Sequence, residues 1–313
     1  MSKPIVTVFG GGGFIGRYVV RLLAKDGWIV RVAQRRPNDA LFLKPAGEIG
    51  QINLVTANIR NIQSVEQAVE GAEAIINLVG ILAPSGKQRF KTIHSEGAAF
   101  IAQMAAKHKI KRFVHVSAIG ADPHSLSRYA RSKAEGEGHI WRHFPNATIL
   151  RPSIVIGAED QFFNRFARMT RYSPFLPLIG GGRTKFQPTY VEDVALAILR
   201  TLTVSGVEGK IFELGGPSCF LFKDLMRRLL DEIEVKRYLL PIPYFIAFPL
   251  AFFLQMFPGA PLTLDQVRLL RKDNIVNENY PGYAALGITP QALTPTLLSY
   301  LSLYRKPRSQ EQK

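Results

Sequence analysis

Up to about residue 155 the hydrophobic positions alternate between two spacings. Short apolar runs stand at Ile5–Phe9, Ile29–Ala33, Ile52–Ala57, Ala74–Val79, Phe113–Val116 and Ala147–Leu150. Runs of this length predict strands buried on both faces. Between them the apolar positions recur at helical spacing. Ile62, Val65 and Val69 mark one helix, Ile93, Phe100, Ile101 and Met104 a longer one, and Tyr129–Trp141 a third. Strands separated by helices of this length imply an α/β chain with a doubly wound parallel sheet. Beyond Arg151 the pattern breaks at Pro152, Pro174, Pro177, Gly180–Gly182 and Pro188. A helix over Glu192–Leu202 and a strand over Ile211–Leu214 return to the sheet. The expected organisation is a sheet domain at 1–155, with 186–214 returning to it. A smaller, mainly helical C-terminal lobe takes 156–185 and 215–313.

One stretch departs from both spacings. Between Tyr238 and Leu264 no charged residue occurs. Pro241, Pro243, Pro249, Pro258 and Pro261 cut it into pieces too short for the ~20 apolar residues of a membrane span. Two readings stand side by side: a buried core helix, or an apolar surface resting on a membrane or another subunit. Arg227, Arg228, Lys236 and Arg237 before it, and Arg268, Arg271 and Lys272 after it, suit anionic lipid headgroups.

Composition narrows the field. The chain has 313 residues, 47% of them hydrophobic, enough for one domain and a lobe. Its formal net charge of +16 favours an anionic partner. No nucleic-acid module is visible, so a membrane surface or a large assembly is expected in place of nucleic acid. Cys219 is the one cysteine, which excludes an intrachain disulfide and a multi-cysteine metal site. The first predicted strand begins almost at Met1, and the expectation is a chain without a secretory or transit segment.

Candidate chemistry concentrates after the first strand. Gly10, Gly13 and Gly16, with Gly11 and Gly12 between them, join that strand to a helix opening at Phe14 and Ile15. Such a turn brings backbone close to a pyrophosphate and aims helix amides at its charge. The strand before and helix after make it a dinucleotide signature of the Rossmann type. At the end of the second strand, where an acidic residue would take a ribose 2′-hydroxyl, the chain has Gln34, Arg35 and Arg36. Guanidinium groups favour a 2′-phosphate, so NADPH is the expected cofactor. Asn58 and Ile59 are placed for the adenine, and Val79 and Gly80 for the ribose and nicotinamide.

With these landmarks the chain resembles the extended and atypical short-chain dehydrogenase/reductase superfamily. The matching pieces are GGGGFIG at 10–16, NLVG at 77–80, FVHVSAIGA at 113–121, YARSK at 129–133, ILRPSIVIG at 149–157 and QPTYVEDVA at 187–195. Within that superfamily it is most similar to the NADPH-binding accessory subunits of respiratory complex I, in a bacterial form. The resemblance implies a tyrosine acid/base at Tyr129 and a lysine at Lys133, both near the nicotinamide with Ser117, Pro152 and Ile154. It also implies a carbonyl-polarising hydroxyl at a position held here by Ile119, and a helix-steadying asparagine near His94. Two of the four parts depart from the pattern. The expectation is therefore a bound nucleotide without independent catalysis, Tyr129, Lys133 and Ser117 being degenerate candidates, and no metal. The implied partners are other complex I subunits and the membrane surface. The implied place is the cytoplasmic face of a bacterial inner membrane, or the matrix side in the eukaryotic counterpart. The alternatives are a free NADP-dependent reductase, epimerase or dehydratase acting on a nucleotide sugar or other carbonyl compound, and an NADP(H)-sensing regulator.

Overall fold

Seven parallel strands in the order β3-β2-β1-β4-β5-β6-β7 form the main sheet of the computed structural model, which describes residues 3–257, 260–293 and 300–305. Pro258 of the uncharged stretch lies outside them. The strands are β1 (Ile5–Phe9), β2 (Ile29–Gln34), β3 (Ile52–Thr56), β4 (Ala74–Asn77), β5 (Arg112–Val116), β6 (Thr148–Pro152) and β7 (Ile211–Leu214). From β1 the chain winds outward to β3, then crosses back to β4 and winds the other way. The carboxyl ends of β1 and β4 therefore bound the switch point, where such sheets bind ligands. All four residues of β4 are buried, as the near-continuous apolar runs require of a sheet covered on both faces.

Two helices, α1 (Phe14–Lys25) and α5 (Val191–Thr203), pack together on one face. On the other, α2 (Ile62–Val69), α3 (Glu96–Lys107) and α4 (Arg128–His143) pack in sequence. The core beneath α2–α4 gathers Phe9, Ile75, Ile101, Phe113 and Ile140. A π-helical turn, Lys91–Ser95, leads into α3, so the long helix of the sequence pattern has a wide first turn.

The chain divides into two compact units. The first comprises the sheet and its helices up to Pro152, Val191–Leu214 and Val276–Thr289. The last of these stretches has no periodic pattern. It is tied in by the Asn277 amide donating to Glu213 Oε2 at 2.7 Å and by Arg151 lying over the Tyr280 ring at 5.2 Å.

The second unit takes Ser153–Tyr190, Gly215–Ile275 and the chain from Pro290. Its core includes Phe163, Leu176, Phe222, Leu225, Met226 and Leu229. It contains helices Phe163–Met169, Phe222–Glu232, Tyr244–Leu254 and Leu264–Leu269. Phe175–Ile179 pairs in parallel with Tyr238–Ile242. Both strands hold a proline, Pro177 and Pro241, tolerated because each strand of a two-stranded pair keeps one free edge. Helix Tyr244–Leu254 is apolar all round, a composition that normally signals full burial. Here only Ala247 and Ala251 are buried, while Phe245 is 75% and Phe253 63% exposed. The proline-cut stretch therefore presents an open apolar face rather than a core helix.

Candidate functional site

The glycine turn is shaped by close approaches that only glycine permits. Gly10 has φ of +80°, and a Cβ on it would come within 3.3 Å of Val79 Cγ2. A Cβ on Gly16 would overlap the Gly10 carbonyl and sit 2.6 Å from Gly11 Cα, so α1 packs on the turn with no room for a side chain. The Gly13 amide donates to Gly10 O at 3.0 Å, and Gly13 caps α1 without any side-chain acceptor. No acidic residue lies in the first turn of α1. Phe14 and Ile15 are half-buried there. The first helical amides are thus left to an anion from outside the chain.

Arg35 and Arg36 follow β2 and are both exposed. Gln34 Nε2 donates to Arg36 O at 2.6 Å, which fixes this corner beside Gly12. Arg17, in the first turn and a half of α1, lies 4.8 Å above the Phe42 ring and adds a third cation to this side of the unit. The sequence reading missed it, although Arg17 follows Gly16 directly. Asn58 is half-buried, its Oδ1 accepting the Arg60 amide at 3.2 Å. Ile59 packs into the core over Gly97. Val79 donates its amide to Asn77 Oδ1 at 3.1 Å. A Cβ on Gly80 would lie 3.4 Å from Lys133 Nζ and 3.6 Å from His94 Nε2.

Tyr129, Ser132 and Lys133 share one face of α4, as three- and four-residue spacing dictates. Lys133 Nζ donates to Val116 O, at the end of β5, at 3.2 Å. Burial pulls its pKa down to about 8, opposed by the nearby Glu137 carboxylate. The Tyr129 ring stands edge-on to His94 and Phe90, with centroids 5.4 and 5.8 Å away. Burial pushes its hydroxyl up to about 12.

His94, at the asparagine position of the resemblance, lies in the π turn and is buried. The Ile81 amide donates to its Nε2 at 2.9 Å. Nδ1 must then carry the hydrogen, and it lies 2.9 Å from Ser132 Oγ, which donates onward to Tyr129 O at 2.8 Å. Burial, then the Lys133 charge, pushes the imidazole down to about 2, so it is neutral. His94 thus braces α4 through Ser132, a link legible in hindsight from the helical spacing of YARSK.

Ser117 directly follows β5, and its amide donates to Leu150 O at 2.7 Å. Its buried Oγ has no hydrogen-bond partner among the described residues. Such an orphan hydroxyl suits a polar ligand group. Ile119 is 8% exposed, and its amide donates to Pro152 O at 3.0 Å. Ile154 belongs to the second unit, its carbonyl accepting from Thr189. Among the described residues no His/Cys/Asp/Glu cluster could hold a metal. The glycine cradle, the uncapped amides and the orphan Ser117 hydroxyl fit a dinucleotide.

The chain is similar to known proteins over most of its length. The family described as NAD dependent epimerase/dehydratase matches residues 6–215. NADH dehydrogenase (ubiquinone) 1 alpha subcomplex subunit 9 of Arabidopsis thaliana is 37% identical over 98% of this chain and 79% of its own length. The NADH-ubiquinone oxidoreductase 40 kDa subunit of Neurospora crassa is 31% identical over 96% of this chain and 79% of its own. Among solved structures, the Escherichia coli NADPH-dependent quinone oxidoreductase complexed with NADPH has a TM-score of 0.73 at 19% identity. That match covers 95% of this chain and 99% of the other, and shares the fold. The chain belongs to the NAD dependent epimerase/dehydratase family, and within it to the group of these mitochondrial NADH dehydrogenase subunits.

Proposed function

We propose that the chain is an accessory subunit of a respiratory NADH:ubiquinone oxidoreductase, complex I, that keeps NADPH as a structural ligand and does not turn it over. The near-full-length identity to subunits so named carries this reading. In it the chain is peripheral, at the cytoplasmic face of a bacterial inner membrane, against other complex I subunits near the quinone junction.

A bound nicotinamide dinucleotide supplies a hydride donor. The turn from Gly10 to Gly16 and the first amides of α1 would hold its pyrophosphate, Arg35 and Arg36 a 2′-phosphate, and Val79, Gly80, Ser117 and Lys133 the nicotinamide side. What is missing is a donor to the reacting carbonyl. Tyr129 keeps the proton such a step would need, but burial holds its hydroxyl up at about 12, where acid/base work asks for a value nearer the working pH. Neutral His94 has both nitrogens engaged. Ile119 offers no donor to a carbonyl oxygen gaining charge, and one such donor is typically worth ~3–4 kcal/mol of barrier. Binding without turnover still has a use, since a ligand held only by the folded chain stabilises it by mass action.

The open face of helix Tyr244–Leu254 suits a membrane surface. Among the described residues no helix is long and apolar enough to cross a membrane. The test is gentle detergent extraction of native membranes followed by size fractionation. Comigration of this chain with NADH:quinone oxidoreductase activity, carrying NADPH that stays reduced, is expected. Recovery as a small soluble species that oxidises NADPH with a carbonyl substrate would overturn the reading. It would favour a free reductase, epimerase or dehydratase, a reading supported by the intact Tyr129 and Lys133 pair on α4.

A further inference from the structure

The second unit contains a cavity of about 590 Å³ whose lining includes Gly180, Gly181, Arg183, Tyr244, Arg271 and Asp273. Gly180 and Gly181 have φ of +64° and +68°, a left-handed turn open to glycine alone. A Cβ on Gly180 would strike the Tyr244 ring at 2.5 Å, and the Tyr244 hydroxyl donates to Leu270 O at 2.6 Å. The turn and the ring lock each other, so the cavity wall is preformed.

The cavity brings two arginines together. Arg237 spends its guanidinium on Thr170 O and Lys236 O, Arg227 on Asp224, and Arg165 on Pro261 O. Arg183 and Arg271 line the cavity, and their guanidinium groups have no hydrogen-bond or ion-pair partner among the described residues. Asp273 is the opposing charge, and its Oδ1 already accepts the Lys185 amide at 2.8 Å. Two free guanidiniums against one engaged carboxylate leave a net positive hole, matched by geometry and charge to phosphate oxygens. Tyr244, part of its wall, is also the first residue of the apolar helix. The next residue, Phe245, is exposed, and Phe252 and Phe253 follow on the same helix.

We propose that this cavity binds the phosphodiester headgroup of an anionic phospholipid through Arg183 and Arg271, while Phe245, Phe252 and Phe253 enter the acyl layer beside it. The assignment to lipid rests on the membrane-surface reading above. A free phosphate has the same charge chemistry. The adjoining phenylalanines favour the lipid.

The experiment uses the full chain with phosphatidylcholine vesicles, with or without phosphatidylglycerol, and with glycerophosphoglycerol or inorganic phosphate in calorimetry. The unaltered chain is expected to prefer phosphatidylglycerol vesicles about tenfold, the scale of one or two charge-assisted contacts. R183Q/R271Q should lose that preference and glycerophosphoglycerol binding, yet keep its affinity for neutral vesicles and for NADPH. The charge-matched R168Q/R171Q, at two exposed arginines of the same unit, should keep the preference. An equal loss in R168Q/R171Q would overturn the site in favour of diffuse charge. Inorganic phosphate binding as tightly as glycerophosphoglycerol would overturn the lipid assignment. Binding of glycerophosphoglycerol without binding of any vesicle would overturn the membrane reading and leave the phosphodiester site standing. Binding of neither would overturn both.

Discussion

At His94 burial, then the Lys133 charge, decides the protonation state, and a backbone amide decides the tautomer. Because Ile81 N–H donates to Nε2, protonating that nitrogen would set two hydrogens against each other inside a buried pocket. The free imidazole value of 6.5 falls to about 2 on folding. Below 6.5 the unfolded chain takes up a proton that the folded chain refuses, so this contribution to stability is present above that pH and lost as pH falls. The unfolding free energy of the unaltered chain should therefore drop faster than that of His94→Gln as the pH is lowered from about 6.5, by roughly 1 kcal/mol per pH unit. Nitrogen-15 NMR of the folded chain should find the His94 ring neutral, with hydrogen on Nδ1, throughout the physiological pH range. At Arg35 and Arg36 the expectation is selectivity. R35A/R36A should weaken NADPH about tenfold or more while leaving NADH within about twofold, as fluorescence titration would read.

Between elements, the firmest polar tie runs from α4 to β6. Glu137, one turn beyond Lys133, takes Arg151 in a two-point contact of 2.9 and 2.5 Å, with Glu213 of β7 at 3.5 Å. All three residues are buried. Removing Glu137 takes away the two-point contact and leaves Arg151 only the longer Glu213 pair, so Glu137→Ala should cost about 3 kcal/mol of unfolding free energy in a guanidinium titration, the scale of one or two charge-assisted hydrogen bonds. Glu137→Gln should cost less, since it keeps one acceptor. The strands of this sheet were legible because parallel strands, buried on both faces, are written as plain apolar runs. Ile211–Leu214 was read with the bounds it has in the structure. The π turn at Lys91–Ser95 was not legible. It is a widened turn around His94, and helical periodicity is blind to it. The pairing of Phe175–Ile179 with Tyr238–Ile242 was hidden by Pro177 and Pro241, which read as loop breakers unless the partner strand is known. The glycine turn, Tyr129 and Lys133 lay in continuous motifs. Ser132 and the orphan Ser117 hydroxyl became informative only once α4 was set against β5.

For the whole molecule, the two units separate the two binding tasks. Every nucleotide candidate except Ile154 lies in the first unit, and the exposed Phe245, Phe252 and Phe253 lie in the second. F245S/F252S/F253S should therefore abolish sedimentation with native membranes and leave the NADPH affinity within about twofold, the scale of an exposed-surface change outside the nucleotide candidates. Phe248 is best left intact, since it packs against Ala247, Ala251 and Val267. NADPH at about a hundred times its dissociation constant should stabilise the chain by ~2.7 kcal/mol, visible as a raised melting temperature that R35A/R36A forfeits at the same ligand concentration. The first unit is also discontinuous in the chain, and this bears on how a ribosome delivers it. Asn277 and Tyr280, which complete the surroundings of Glu213 and Arg151, emerge only after Gly215–Ile275 has been made. A polypeptide stalled before Val276 would hold a nearly finished sheet with its buried cation half enclosed. Until synthesis passes that point, the nascent chain is a substrate for chaperones and proteases rather than a subunit awaiting its ligand.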